Sequence, residues 1–170
     1  MLVKAQSKRL PYKNVVDFAG EPMFLMNLRK CLEIFPETYV STENDVIARK
    51  ARELGAKVIN RPKELLESPN IGVYKHAVQF MDCDAFVAVQ ANSPTVSPEK
   101  IKQAKDYLEN GKEVITTHPD GSIYGSVWGM TIERLENYGD PYNPLPEYTF
   151  EDPSVDIHTD KDLQKALLQL

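Results

Sequence analysis

Ala85-Phe86-Val87-Ala88-Val89, followed at once by Gln90-Ala91-Asn92-Ser93-Pro94-Thr95, is the stretch on which the reading of the fold turns. Five apolar residues without polar alternation, bounded by turn formers, predict a strand buried on both faces near a sheet centre. Such a strand needs helices above and below it, and the flanking sequence supplies them. Upstream, Phe24, Leu25, Leu28, Cys31, Leu32 and Phe35 share one helical face. Ile47, Ala51 and Leu54 share another, ended by Gly55, and Val73, Tyr74, Ala77, Val78 and Met81 a third. Downstream, Ser97 as N-cap and Pro98 at the first helical position open a helix through Ile101, Ala104 and Leu108 that stops at Gly111.

Further β-leaning runs are Met1-Leu2-Val3, Thr38–Ser41, Lys57–Ile59, Glu113–Thr117 and Ser126–Ile132. Strands alternating with helices predict an α/β fold: a three-layer αβα arrangement around a mostly parallel twisted sheet, with right-handed crossovers. Residues Gly139 to Pro153 hold four prolines and little periodicity. They predict an irregular excursion at about 139–154. After it, Thr159 and Asp162 form a capping-box pair opening a last helix with Leu163, Ala166, Leu167 and Leu170 as its buried stripe. The whole of 1–170 reads as a single domain.

Composition agrees and excludes several classes. The 170 residues are 42% hydrophobic and 26% charged, ordinary values for a globular chain, and a domain of this size needs no metal or disulfide staple. Twenty Lys and Arg against 25 Asp and Glu give a net charge of −5, which argues against a general nucleic-acid coat. Cys31 and Cys83 are too few for a disulfide framework and read as buried free thiols in a reducing compartment. No run approaches the roughly 20 apolar residues of a membrane helix, and no leader precedes the first element. The expectation is a cytoplasmic protein with neither a membrane nor a nucleic-acid partner.

Ligands in open α/β sheets bind beyond the carboxyl ends of the strands, so the segments after the strands carry the argument. After the first comes Lys4-Ala5-Gln6-Ser7-Lys8-Arg9-Leu10-Pro11-Tyr12-Lys13-Asn14, with four cations in ten residues. Such a loop can wrap a polyphosphate with amide, hydroxyl, ammonium and guanidinium donors, or simply be a solvated basic loop. Its place after a strand, stiffened by a proline, favours the first. Gln90, Asn92 and Ser93 put amides and a hydroxyl after the most buried strand, and Arg61 adds a guanidinium at the same edge. Asp156 and His158, two apart, face one side of an extended segment, where a carboxylate and an imidazole could hold a divalent metal; on the residues alone a turn aspartate beside a partly exposed histidine is the favoured reading. Neither a G-x-x-x-x-G-K-[ST] nor a G-x-G-x-x-G pattern occurs, which excludes a P-loop and argues against a dinucleotide fold. His76 and His118 have no convergent partners in sequence; His76 reads as structural, and Asp82 and Asp84 as solvated.

Taken together, these segments resemble the sugar nucleotidyltransferase superfamily, and within it the acylneuraminate (CMP-sialic acid synthetase-like) cytidylyltransferases. Ser7-Lys8-Arg9-Leu10-Pro11-Tyr12-Lys13-Asn14 is similar to that family's S-K-R-x-P-x-K-N opening. Ser41–Ala48 is similar to its second strand-to-helix turn, continued by Gly55-Ala56 and Arg61-Pro62-Lys63-Glu64-Leu65, and Gln90–Pro94 to its Q-P-T-S-P turn. Val155-Asp156-Ile157-His158-Thr159 with Asp162-Leu163 is similar to its closing D-I-D-T…D-L. The order and spacing hold over roughly the first 115 residues and the last 16.

The resemblance implies a Rossmann-like nucleotidyltransferase (glycosyltransferase A-like) topology and a Mg²⁺-dependent transfer of CMP from CTP to the anomeric hydroxyl of an acidic keto-sugar. It implies Lys4, Lys8, Arg9 and Lys13 as catalytic cations and Ser7, Asn14, Arg61, Gln90, Asn92 and Ser93 as nucleotide-binding residues. Asp156 and His158 would be the metal pair, and the family's tendency to dimerise implies a homodimer. The chain departs from the pattern in four places. Ala5-Gln6 replaces glycine before Ser-Lys, Thr95-Val96 the arginine after Ser-Pro, and His158 the second aspartate. The stretch between Gly121 and Pro153 is short. A nucleotidyltransferase with another base or acceptor, and a non-catalytic nucleotide-binding member, are the alternatives.

Overall fold

A computed structural model describes residues 1–137 and 144–170. Met1–Val3 pairs in parallel at Leu2 with Ser41: the Val3 amide donates to the Ser41 carbonyl and the Ser41 amide to that of Met1, both at 3.0 Å. A short 3₁₀ turn at Lys13–Val15 leads to a two-residue hairpin, β1 (Asp17–Phe18) and β2 (Glu21–Pro22), and then to α1 (Met23–Ile34). β3 (Tyr39–Thr42), α2 (Asp45–Glu53) and β4 (Lys57–Asn60) form a β-α-β unit with β3 parallel to β4. The Asn44 side chain caps α2 by accepting from the Val46 and Ile47 amides at 3.0 Å. Then come α3 (Asn70–Ala77), β5 (Ala85–Val89), α4 (Pro98–Glu109), β6 (Val114–Thr117), β7 (Ile123–Thr131), α5 (Ile132–Asn137), β8 (Tyr148–Glu151) and α6 (Asp160–Leu167).

The four-stranded sheet runs β5-β7-β6-β8, with β6 and β8 parallel and β7 antiparallel to both its neighbours. Alternation along β5 fills two layers. Val89, with Val127, Val114, Ile101, Ala104 and Cys31, packs against α1 and α4. Ala88, with Ile115, Trp128, Met130, Tyr74 and Leu135, packs against α3 and α5. Beside β3, Val3, Val40, Phe24, Leu28, Ile47 and Ala51 close the core between α1 and α2. The αβα layering is as the sequence predicts.

Four expectations are corrected. β5 is an end strand of its sheet rather than a central one, and Ala85, Phe86 and Val87 are only half-buried. The reason is a seam. The Met1–β3–β4 sheet and the four-stranded sheet share no backbone ladder among the described residues. Between them lies an open, largely apolar groove of about 570 Å³, flanked by Phe35, Tyr39, Tyr74, Met81, Phe86 and Val87. Next, the proline-rich excursion contains β8, paired in register with β6 from Val114↔Tyr148 to Thr117↔Glu151. Pro144, Pro146 and Pro153 fall outside the strand, so no ladder donor is lost. Its first part, 139–143, lies outside the described residues. In α6 only Ala166 is buried, while Leu167 and Leu170 face solvent. Finally, Cys31 is buried but Cys83 is exposed. No helix of the described residues is long and apolar enough to cross a membrane.

Candidate active site

The carboxyl ends of Met1–Val3, β4 and β5 converge on a small polar cleft of about 190 Å³. Among the residues singled out from sequence, Lys4, Ser7, Lys13, Asn14, Arg61, Gln90 and Asn92 line it. The opening loop folds back on itself, the Asn14 side-chain amide donating to the Lys4 carbonyl at 2.9 Å. Tyr12, at φ 54°, turns the chain through the left-handed region between Pro11 and Lys13 while its ring stays exposed. A non-glycine residue held there stores strain, a cost that clusters at ligand-binding turns. The Ala5 amide is given to the Glu43 carboxylate at 2.8 Å, which ties the start of the loop to the turn after β3.

Lys13 is half-buried, and desolvation pulls its pKa below the ordinary lysine value; Arg9 and Lys4 push the same way and Asp156 opposes. Two cations and two carboxylates, Asp156 and Asp162, thus act on Lys13 with opposite signs. Arg61 is 7% exposed, its guanidinium donating to the Ser41 carbonyl at 2.8 Å and lying 3.4 Å from the Ser41 hydroxyl. These bonds fix its plane at the cleft wall.

Asp156 sits beside the cleft, joined to it by Asn92, whose amide donates to one carboxylate oxygen. The other oxygen lies 2.7 Å from His158 Nε2. The Ile157 amide donates to the Asn92 carbonyl at 2.8 Å and the Val155 amide to Thr95 Oγ1 at 3.1 Å, pinning the closing segment to the turn after β5. Capping-box bonds to Asp162 then begin α6.

Not every expected residue reaches the cleft. Lys8 is exposed and paired with Glu67 at 2.9 Å, and Arg9 is exposed as well. Ser93 is fully buried, its hydroxyl accepting from Tyr124 at 2.9 Å. That bond belongs to a network invisible in the sequence. Tyr124 also lies 3.2 Å from the Ser154 hydroxyl, and the buried Asp152 carboxylate accepts from the hydroxyls of Ser126 and Ser154. His118, without a partner in sequence, stacks on Tyr124 at 4.3 Å. Leu65, Leu66, Ser68, Asn70 and Val73 complete the cleft. They come after β4, so the rule of reading beyond each strand, carried past Arg61, would have found Ser68 and Asn70.

The fit of a divalent cation can be judged on these groups. Among the described residues no three His, Cys, Asp or Glu side chains gather into a cage. Mg²⁺ takes oxygen ligands, keeps several waters and is commonly held by one or two carboxylates plus substrate phosphates. Asp156 fits that role, half-exposed and facing the cations of the opening loop. The His158 ring turns Nε2 to Asp156 and buries Nδ1 without a partner, so the two form a hydrogen-bonded couple.

The chain is similar to several known proteins. A 3-deoxy-manno-octulosonate cytidylyltransferase of Francisella philomiragia is 29% identical over 144 residues, 83% of this chain and 52% of that protein. N-acylneuraminate cytidylyltransferase A of Danio rerio is 27% identical over 113 residues, 64% of this chain and 26% of that protein. The chain thus spans about half the length of these curated relatives or less. Among solved structures, CMP:2-keto-3-deoxy-manno-octonic acid synthetase complexed with CTP superposes with a TM-score of 0.77 at 14% identity, covering 98% of this chain and 95% of that one. At that identity the likeness carries the nucleotidyltransferase fold. The family model described as Cytidylyltransferase matches residues 2–166, nearly the whole length, and the chain belongs to the cytidylyltransferase family.

Proposed function

We propose that the protein transfers CMP from CTP to the anomeric hydroxyl of an acidic keto-sugar in a Mg²⁺-dependent reaction. What carries the reading is one convergence: Lys4, Ser7, Lys13, Asn14, Arg61, Gln90 and Asn92 share a cleft, and Asn92 ties it to Asp156. Family membership supports it, as do relatives named for N-acylneuraminate, 3-deoxy-manno-octulosonate and pseudaminic acid.

In this reading Lys4, Ser7 and Lys13 hold the triphosphate, with Lys8 and Arg9 adding positive charge from the solvent side of the loop. Asn14 keeps the loop closed, and Gln90, Asn92 and the Ser93 turn face the nucleotide beside Arg61. Asp156, with His158 on its second oxygen, would hold the metal, which when bound would neutralise phosphate charge and stabilise the leaving group. The acceptor oxygen bonds to the α-phosphorus, the α–β phosphoanhydride bond breaks, and pyrophosphate takes the electron pair. The hydroxyl proton passes to water. The residues contribute mostly positioning and charge neutralisation.

Thermal shift with CTP, UTP, GTP and ATP, each with and without Mg²⁺, tests the nucleotide half. At 100 times its dissociation constant a ligand adds about 2.7 kcal/mol, so a rise selective for CTP and enlarged by Mg²⁺ is expected. Pyrophosphate release with keto-acid sugars tests the acceptor half. No shift with any nucleotide would overturn the reading in favour of a non-catalytic role, and a shift selective for another base would change the donor.

A further inference from the structure

Two side chains on α1, 63 to 66 residues from the carbonyls they bind, hold up one wall of the cleft. Asn27 is fully buried, and its amide gives one hydrogen to the Gln90 carbonyl at 2.9 Å and the other to the Ser93 carbonyl at 2.8 Å. Its oxygen accepts from Lys30 Nζ at 3.0 Å. Lys30 spends its two remaining donors on the carbonyls of Pro94 and Val96, both at 2.7 Å. An ammonium has three donors and a carboxamide nitrogen two, so neither group has capacity left over. Asn27 and Lys30 are three apart on one helix face, and together they take four of the carbonyls between Gln90 and Val96.

This is not an ordinary loop tether. Lys30 is half-buried over backbone oxygens, and no carboxylate pairs with it among the described residues. The carbonyls on Asn27 belong to Gln90 and Ser93 and those on Lys30 to Pro94 and Val96, so the turn is held at both ends. Within it stand Gln90, which lines the cleft, and Asn92, whose amide donates to Asp156. α1 comes directly after the opening loop, the Met23 amide bonding the Val16 carbonyl at 3.0 Å. One helix therefore sets the spacing between the cationic loop and the amide-bearing turn.

We infer that Asn27 and Lys30 are positioning residues for nucleotide recognition: they set the Gln90–Val96 turn against the phosphate-facing loop and act on the nucleotide only through it. The inference rests on the proposed binding of CTP in the cleft. Lys30→Met keeps an unbranched stem of similar length and removes all three donors. Lys105→Met is its control, since Lys105 also reaches a backbone carbonyl, Ile34 at 3.3 Å, but away from the turn. The two variants and the parent are compared by hydrogen exchange over residues 90–97 and by calorimetric titration with CTP and Mg²⁺.

Lys30→Met is expected to speed exchange of the turn and to raise the CTP dissociation constant about tenfold, the scale of one lost charge-assisted hydrogen bond. Steady-state kinetics should place the loss in KM for CTP, with KM for the sugar unmoved. Lys105→Met should move none of these. Unchanged exchange and affinity in Lys30→Met, or equal losses in both variants, would overturn the inference. A parent protein giving no heat with CTP would overturn the nucleotide reading and the positioning role resting on it. That failure is told apart because it appears in the parent, before any variant is compared.

Discussion

On one wall of the cleft, Lys4, Ser7 and Lys13 stand on a loop whose outer cations, Lys8 and Arg9, face solvent and whose tightest turn is a strained tyrosine. On the other, Gln90, Asn92 and Asp156 stand on segments stitched from several sides: by α1, by the Tyr124–Ser93 bond and by the amides of Val155 and Ile157. The first wall supplies charge and can adjust. The second supplies direction and has little freedom. For the proposed reaction, gripping a flexible triphosphate while holding one phosphorus in line would gain from this division, because charge tolerates displacement and in-line geometry does not.

Substitutions can break or sharpen that contrast. Asp156→Ala strikes the directional wall at its one candidate metal carboxylate. A loss of about 10²–10³-fold or more in kcat is expected, the scale of removing one group that meets transition-state charge, with circular dichroism unchanged. Turnover at the parent rate would remove Asp156 from the chemistry. Asp152→Ala strikes the network behind the same wall. It strips the Ser126 and Ser154 hydroxyls of their buried acceptor and should cost about 2–4 kcal/mol of unfolding free energy. A urea midpoint indistinguishable from the parent would show that the rigidity comes from elsewhere.

Lys13 tests the charged wall by pH. Its pKa lies below 10.5 because of burial, so its charge is lost earlier on the alkaline side than an ordinary lysine's. kcat/KM for CTP, which reports the free enzyme, should fall as pH rises through that lowered value. Lys13→Arg, which stays charged, should carry the falling limb to higher pH, and an unmoved limb would assign it to another group. The stability sign is opposite. A lysine whose folded-state pKa is depressed opposes folding below that pKa, and the penalty fades as pH rises towards 10.5. Lys8→Ala should do least: its charge is exposed and, among the described residues, paired only to Glu67, so CTP affinity should fall less than about threefold, and less still at high salt. A larger loss would mean the outer cations close on the nucleotide.

The same contrast explains what the sequence could tell. Charge is local in sequence, so four cations in ten residues after a strand marked the first wall. Caps are local too, and Ser97 and Thr159 sit where their spacing puts them. The second wall depends on pairs such as Asn27–Ser93 and Ser126–Asp152, 66 and 26 residues apart, and no periodicity announces such partners. On α1, Asn27 and Lys30 look like polar positions of any amphipathic helix. β8 was hidden by prolines that flank it rather than interrupt it. β5 was legible as an apolar strand but not as an end strand, because both places demand the same residues and only the missing ladder at the seam separates them.

That end position has a consequence for solubility. An apolar run without charge or proline at the end of a sheet offers its outer row of amides and carbonyls to any strand that reaches it, a template for edge-to-edge association. Immediately before Ala85–Val89 stand Asp82 and Asp84, both exposed. In a second copy brought strand to strand, whether parallel or reversed, these carboxylates meet either their like or an apolar surface that strips their water. Charges flanking an unavoidable hydrophobic strand act as gatekeepers. Asp82 and Asp84 stand where such gatekeepers belong, at the start of the strand that borders the seam.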